Sequence, residues 1–221
     1  DQTRRQRQMC IRDSSFRDPG FKDCFWINPL GYHFSQMKVS DLCLMNQNGE
    51  LVYGKERTGD AAQSIHSNIY KSRSDINAVA HAHPMYGKTF STLNKELKPI
   101  TQDSCAFYKR TATFTDYDGV ANGPDEGINI AKALADKDFL ILQNHGILTT
   151  GTMVETTLWY FLNMEEACKS QLLAEAVGEP IVIPDKVAIH TRDYVANDLS
   201  AFASIQPLLD VLWEKEPEFL D

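Results

Sequence analysis

Apolar and polar positions along the chain change period several times, and each change marks an element. The segments CFWINP (24–29) and DLCLMN (41–46) concentrate apolar residues over lengths that fit short strands. QNGELVYG (47–54) turns through Asn48-Gly49, the dipeptide that most favours a two-residue hairpin, into another strand. In AAQSIHSNIYKSR (61–73), Ile65 and Ile69 recur at the interval of one helical face, and Asp60 can cap that helix. INAVAHAH (76–83) then reads as a strand, GKTFSTLN (87–94) as a helix, KELKPITQDSC (95–105) as a loop and TATFT (111–115) as a strand. GPDEGINIAKALA (123–135) opens with acidic residues and continues with apolar ones at helical spacing, and KDFLILQN (137–144) is a continuously apolar, buried strand. VETTLWYFLNMEEACKSQLLAEAV (154–177) is the longest expected helix and holds neither glycine nor proline. After Gly178 prolines interrupt the pattern, so residues 181–221 are expected to form an irregular tail packing on the domain or on a neighbouring subunit. Alternating strands and helices make this an α/β chain, and no repeat or low-complexity segment divides it.

Length then bounds the domain count. With 221 residues and 43% hydrophobic content, the chain can bury one sizeable core and is expected to form one domain over 1–221. Its charge of −8, from 22 basic and 30 acidic residues, excludes nucleic acid and anionic membrane surfaces as main partners, because a phosphate backbone is gripped by a basic footprint. Arg4, Arg5 and Arg7 are local and terminal, as in a solvated arm. The cysteines Cys10, Cys24, Cys43, Cys105 and Cys168 are odd in number, widely spaced and free of any C-x-x-C pair, which points to free thiols in a reducing cytoplasm. No apolar run approaches a membrane span and no basic-then-apolar segment opens the chain, so a soluble cytoplasmic protein is expected.

Candidate chemistry centres on HAHP (81–84). In a strand, residues i and i+2 share a face, so His81 and His83 project side by side, with Cα atoms about 6.5 to 7 Å apart, while Ala80 and Ala82 face the other way. A bare H-x-H is compatible with two satisfied polar residues at a strand end. A third ligand changes the balance, and His145, in QNHGIL, follows the next strongly apolar strand and precedes a glycine that permits close approach. Three neutral imidazoles with open positions form a catalytic rather than a closed structural site, suited to zinc or to iron(II).

The blocks NAVAHAHPMYGKTFS, PITQDSCAFY, ILQNHGILTTG and the long helix that follows resemble, in order, the class II aldolase/adducin head domain, over about residues 24–180. That resemblance implies a three-layer α/β/α sandwich around a mainly antiparallel central sheet, and a homotetramer with active sites at subunit interfaces. It also implies one divalent metal per chain, zinc first and iron(II) as the alternative, held by His81, His83 and His145.

Departures from the family pattern bear on the reaction. Its sugar-phosphate aldolases carry Ser-Ser-Glu at the start of the helix before the His-x-His strand, the serines holding phosphate and the glutamate acting as acid/base. The corresponding positions here are Asp60, Ala61 and Ala62. In the turn NPLGYHFSQMKVSDL, Leu30 replaces a polar residue typical of phosphate binders. The expectation is therefore lyase-like carbon–carbon bond chemistry, through a metal-stabilised enolate, on a small unphosphorylated carbonyl or hydroxy-acid substrate. Asp103, Gln102 and Tyr86 are the candidate catalytic residues; Asn28, Gly31 and Lys88 are the candidate substrate contacts; ordinary surface hydrogen bonding competes with each. A non-haem iron(II) oxygenase/decarboxylase of secondary metabolism is the first alternative, and a non-catalytic adducin-like assembly domain the second. His66 beside Ile65 is expected to be a satisfied core histidine, and His33 and His190 have no partner signal.

Overall fold

The computed structural model describes residues 12–55, 58–117 and 124–221. The basic residues at 4, 5 and 7, and Cys10, lie outside them. Strand β1 (Arg12–Arg17), β2 (Cys24–Ile27), β3 (Cys43–Asn46), β4 (Leu51–Tyr53), β5 (Ala78–Ala82), β6 (Thr111–Phe114), β7 (Phe139–Leu142) and β8 (Gly146–Gly151) form one sheet in the order β4-β3-β2-β1-β5-β8-β7-β6. Only β6 and β7 pair in parallel; the remaining neighbours are antiparallel.

The alternation of side chains builds two cores. Leu140, Leu142, Leu148 and Val79 face α1 (Asp60–Ser72) and α3 (Pro124–Leu134), meeting Ile65, Ile69, Ile130 and Leu134. Phe139, Ile141 and Ile147 face the other way, toward Phe90 of α2 (Met85–Ser91), Phe107, and Tyr160 and Met164 of α4 (Val154–Val177). Helices on both faces of a mostly antiparallel sheet give the expected α/β/α sandwich. The four described cysteines are in no disulfide among the described residues.

Two expectations are corrected, and two strands are added that no apolar pattern marked. The segment RDSSFR is the central strand β1, between β2 and β5. Its Ser, Arg and Asp content hid it, yet Arg17 satisfies the backbone carbonyls of Tyr70, Arg73 and Ile76 and stacks on the Tyr70 ring at 4.6 Å. GILTTG is also a strand, hydrogen-bonded between β5 and β7. Asp60 is the first residue of α1 rather than its cap, which is Gly59. The C-terminal segment is helical, as α5 (Asp185–Val195) and α6 (Asp198–Lys215). Pro184 serves as the N-cap of α5, Asn197 caps α6 by accepting from Ser200 N at 3.0 Å, and α6 packs on α4 through the buried Ala201 and Ile205 while retaining Pro207 within it.

Candidate metal centre

His81 is the fourth residue of β5, and its side chain shares the face of Val79. His83 lies one residue past the strand, where Pro84 stops it and caps α2. The β7–β8 connection is the short loop Gln143-Asn144-His145; Asn144 takes the left-handed conformation (φ 57°) that asparagine tolerates, and His145 N donates to Leu142 O at 3.0 Å. The tight hairpin therefore brings His145 back over the end of β5.

The rings lie edge to face, with centroids 5.0 Å apart for His81–His83, 4.9 Å for His81–His145 and 4.3 Å for His83–His145. One ligand nitrogen from each falls within 4.8 Å of the others. His81 Nδ1 lies 3.0 Å from Ile147 O, and a carbonyl can only accept, so Nδ1 carries the proton and Nε2 is left with its lone pair. That Nε2 is 3.2 Å from His83 Nε2, close to the ~3.3 Å separation of two nitrogens on a tetrahedral ion with bonds of about 2.05 Å. Burial first, and then the neighbouring imidazoles, pushes His83 down to about 4 and His145 down to about 3, so both rings are neutral donors near pH 7. The donor set fits a divalent metal.

Supporting groups hold this geometry. The Glu165 carboxylate, from α4, accepts from Tyr86 N at 2.9 Å and Gly87 N at 2.6 Å, fixing the start of α2 directly after His83-Pro84. Gly146 lets β8 pass β5 closely: a Cβ there would stand 2.5 Å from Ala82 O and 2.9 Å from His83 Cδ2.

Behind His81, on the face toward α1, lies a buried polar chain. Asp13 pairs with His81 across β1 and β5, and Ser15 with Val79. His66 Nδ1 lies 2.5 Å from Ser15 Oγ, which lies 2.7 Å from Tyr70 Oη, and Tyr70 Oη donates to Asn77 O at 3.3 Å. His66 is thus a bonded core histidine. Burial opposes ionisation of Asp13, but His81, then His66 and His83, hold its carboxyl below the usual carboxylate range.

The other sequence candidates are dispersed. Lys88 is close enough for its charge to be felt at His83. Tyr86 turns toward α4, where Lys169 Nζ lies 5.4 Å from its ring centroid. Gln102 and Asp103 are exposed, at and beside a 3-10 turn (Asp103–Phe107) that packs against α5. Asn28 Oδ1 accepts from Ser14 N at 2.8 Å, tying the β2–β3 loop to β1 beside Asp13. Gly31 has φ 91° with open space where a side chain would be. The segment ahead of α1 is apolar where it meets that loop: a Cβ at Gly59 would touch Leu30 Cδ1 at 3.9 Å and Ala62 Cβ at 3.7 Å. His33 bonds Ser35, and His190 is exposed on α5. Sequence reasoning missed three residues: Glu165, Asp13 and Tyr117, whose ring centroid is 6.2 Å from His145. None belongs to a local motif, so no spacing signal could have found them.

The family model of the class II aldolase and adducin N-terminal domain matches residues 13–172, starting within β1 rather than at β2. Decarboxylase NovR of Streptomyces niveus is 36% identical over 202 residues, 91% of this chain and 75% of that protein. A 4-hydroxy-3-prenylphenylpyruvate oxygenase/4-hydroxy-3-prenylbenzoate synthase of Streptomyces roseochromogenus subsp. oscitans is also 36% identical, over 91% and 73%. Among solved structures, L-fuculose 1-phosphate aldolase from Glaciozyma antarctica PI12 aligns with a TM-score of 0.87 and 38% identity, over 96% of this chain and 84% of that one.

Proposed function

The chain belongs to the class II aldolase and adducin N-terminal domain family, and from that premise we propose that it is a divalent-metal-dependent enzyme that cleaves a carbon–carbon bond beside the carbonyl of a small, unphosphorylated oxo- or hydroxy-acid. Class II aldolases use a divalent metal, and the observation that carries the reading is the convergence of His81, His83 and His145, with ligand atoms within 4.8 Å of one another. Zinc and iron(II) both suit three imidazoles. The metal, when bound, would supply Lewis acidity toward a carbonyl oxygen.

The chain's own residues do the rest. Ile147 O orients His81, and Glu165 anchors the start of α2 beside His83. Lys88 offers positive charge on the His83 side, suited to a substrate carboxylate. Leu30 puts an apolar side chain where the phosphate binders carry a polar one, and Asp60 and Ala61 offer no serine hydroxyl. Tyr117, beside His145, is the group best situated to hold or deliver a proton, ahead of Tyr86, Gln102 and Asp103.

A second reading, oxygen-dependent decarboxylation with iron(II), is favoured by the printed names of the two Streptomyces relatives. Exposed Leu158, Leu162 and Leu173 on α4 support assembly as a homo-oligomer, the tetramer being the family expectation. No helix among the described residues is long and apolar enough to cross a membrane.

The test is elemental analysis together with substrate assays. The purified chain should hold close to one zinc or iron per protomer, and His83→Ala should abolish that occupancy, leaving two imidazoles. Full occupancy in the variant would refute the ligand set. Zinc-loaded and iron-loaded protein should then be offered 2-oxo and 2-hydroxy acids: product without oxygen uptake supports the lyase reading, and stoichiometric oxygen uptake with iron alone supports the second.

A further inference from the structure

Three neutral imidazoles bring no charge to a divalent ion, so its two positive charges would enter a half-buried site uncompensated by their ligands. At Ala62, where the aldolase pattern has a glutamate, α1 offers a methyl group. One carboxylate nevertheless stands next to His81 on the neighbouring strand. Asp13, on β1, stands opposite His81 in the strand register and is 4% exposed. Its Oδ2 lies 3.2 Å from His66 Nε2 without the alignment of a hydrogen bond, and its Oδ1 has no hydrogen-bond partner among the described residues. Among the described carboxylates, Asp13 is the one whose charge is felt at both His83 and His145.

The imidazoles around it favour its charge, yet burial strips its water and leaves Oδ1 without a replacement hydrogen bond among the described residues. Its position becomes intelligible if a cation completes it. We propose that Asp13 is the fixed counter-charge of the metal centre, a positioning residue supplied by β1 that raises divalent-metal affinity from behind His81, in place of the carboxylate that α1 lacks. The inference rests on the reading that His81, His83 and His145 hold a metal. Strand alternation puts Asp13 on the histidine side of the sheet, where His66, bonded by Ser15, sets its Nε2 3.2 Å from Asp13 Oδ2.

The full 221-residue chain is stripped with a chelator, and Zn²⁺ is titrated against a chromophoric competitor, in the native protein and in Asp13→Asn, Asp13→Ser and Ser15→Ala. Each Asp13 variant should bind zinc about 10- to 100-fold more weakly, the range typical of residues that support metal ligands from behind. Its metal-free melting temperature should change little, since Oδ1 makes no hydrogen bond among the described residues for the variant to lose. Ser15→Ala, which loosens His66 but keeps the charge, should stay within about threefold of native affinity, well short of that range. Having two charge-removing variants keeps the test open if one does not fold. Native-like zinc affinity in an Asp13 variant would overturn the proposal. So would a lowered metal-free melting temperature with affinity loss matched by Ser15→Ala, because Asp13 would then act only through packing. A native chain that takes up no zinc or iron would overturn the three-histidine reading itself, a failure recognisable before any variant is made.

Discussion

Gly146 offers the sharpest steric test of the centre, since it packs against the His83 end of the three-histidine cluster without belonging to it. In Gly146→Ala the new Cβ would sit 2.5 Å from Ala82 O and 2.9 Å from His83 Cδ2, whereas ordinary contact begins at 3.4 Å. The β5 and β8 backbones must therefore part by about 0.9 Å at this point, or the new methyl must tilt into the His83 ring. Both routes are resisted: Ala82 pairs with Ile147 in the ladder, and Ile147 O is the group that orients His81. Overpacking of this kind costs typically about 1 to 3 kcal/mol. For a chain of this length each kcal/mol lowers the melting temperature by roughly 2 to 4 °C, so the metal-free variant should melt about 2 to 12 °C below native. The larger effect falls on the centre. Displacing His83 by a large fraction of an ångström, and loosening the acceptor that orients His81, should reduce zinc affinity at least about tenfold. Differential scanning fluorimetry with and without Zn²⁺ reads both: the metal-free transition should drop, and the shift produced by zinc should shrink further. A variant with native melting and a native zinc shift would refute the close β5–β8 approach, and with it the position of His145 over the end of β5.

The remaining predictions address other parts of the molecule. His83 titrates at about 4 and His145 at about 3, both chiefly through burial, while an unfolded imidazole takes its proton near pH 6.5. Between about pH 6.5 and 4 the unfolded chain then binds more protons, so the stability of metal-free protein should be level above this window and fall as the pH drops through it. Urea unfolding at pH 7.5, 5.5 and 4.5 checks this, and constant stability would contradict buried neutral rings. Fully buried Ile69 joins α1 to the sheet, so Ile69→Ala should cost about 2 to 5 kcal/mol in the same assay, and a loss below 1 kcal/mol would mean that α1 is not packed as described. Native protein should be almost inert toward fuculose- or rhamnulose-type phosphates, because a positioned acid/base is ordinarily worth roughly 10²- to 10⁴-fold in rate. Ala62→Glu alone should add little, and Asp60→Ser, Ala61→Ser and Ala62→Glu together should raise cleavage above background. Ordinary enzymatic rates in the native chain would show that another group is the acid/base, and that the apolar contact at Leu30 does not exclude phosphate.

The readable parts of this sequence were those in which one period dominated. β7 is apolar throughout and β5 is apolar or small but for His81, α4 carries no breaker over 24 residues, and H-x-H at a strand end needs only the two-residue repeat to put both rings on one face. β1 was hidden because its inward positions are Asp13, Ser15 and Arg17, which meet His66 and the Ile76 carbonyl through polar contacts instead of by apolar burial. The last two helices were hidden by their prolines, although Pro184 lies at an N-cap, where no intrahelical donor is needed, and Pro207 removes one donor from a helix that still buries Ala201 and Ile205.

The same contrast explains why the centre was only half legible. Residues that could share a metal must lie close to one another, and His81 at the end of β5 and His83 just past it are two residues apart, so local spacing found them. What orients or compensates those ligands need not be local: Ile147 O comes from β8, the Glu165 carboxylate from α4 and the Asp13 carboxylate from β1. Each contact is a pairing across the sheet or between layers, set by strand order and not by any spacing along the chain. The central place of β1, between β2 and β5, is therefore what joins fold to chemistry here. It is the strand that puts a carboxylate behind His81, and its unusual polarity is explained if that charge is answered by a cation on the histidine side. A β1 segment written with apolar residues at 13 and 15 would build a more conventional sheet, yet would leave His66 unbonded and the three imidazoles without a compensating charge.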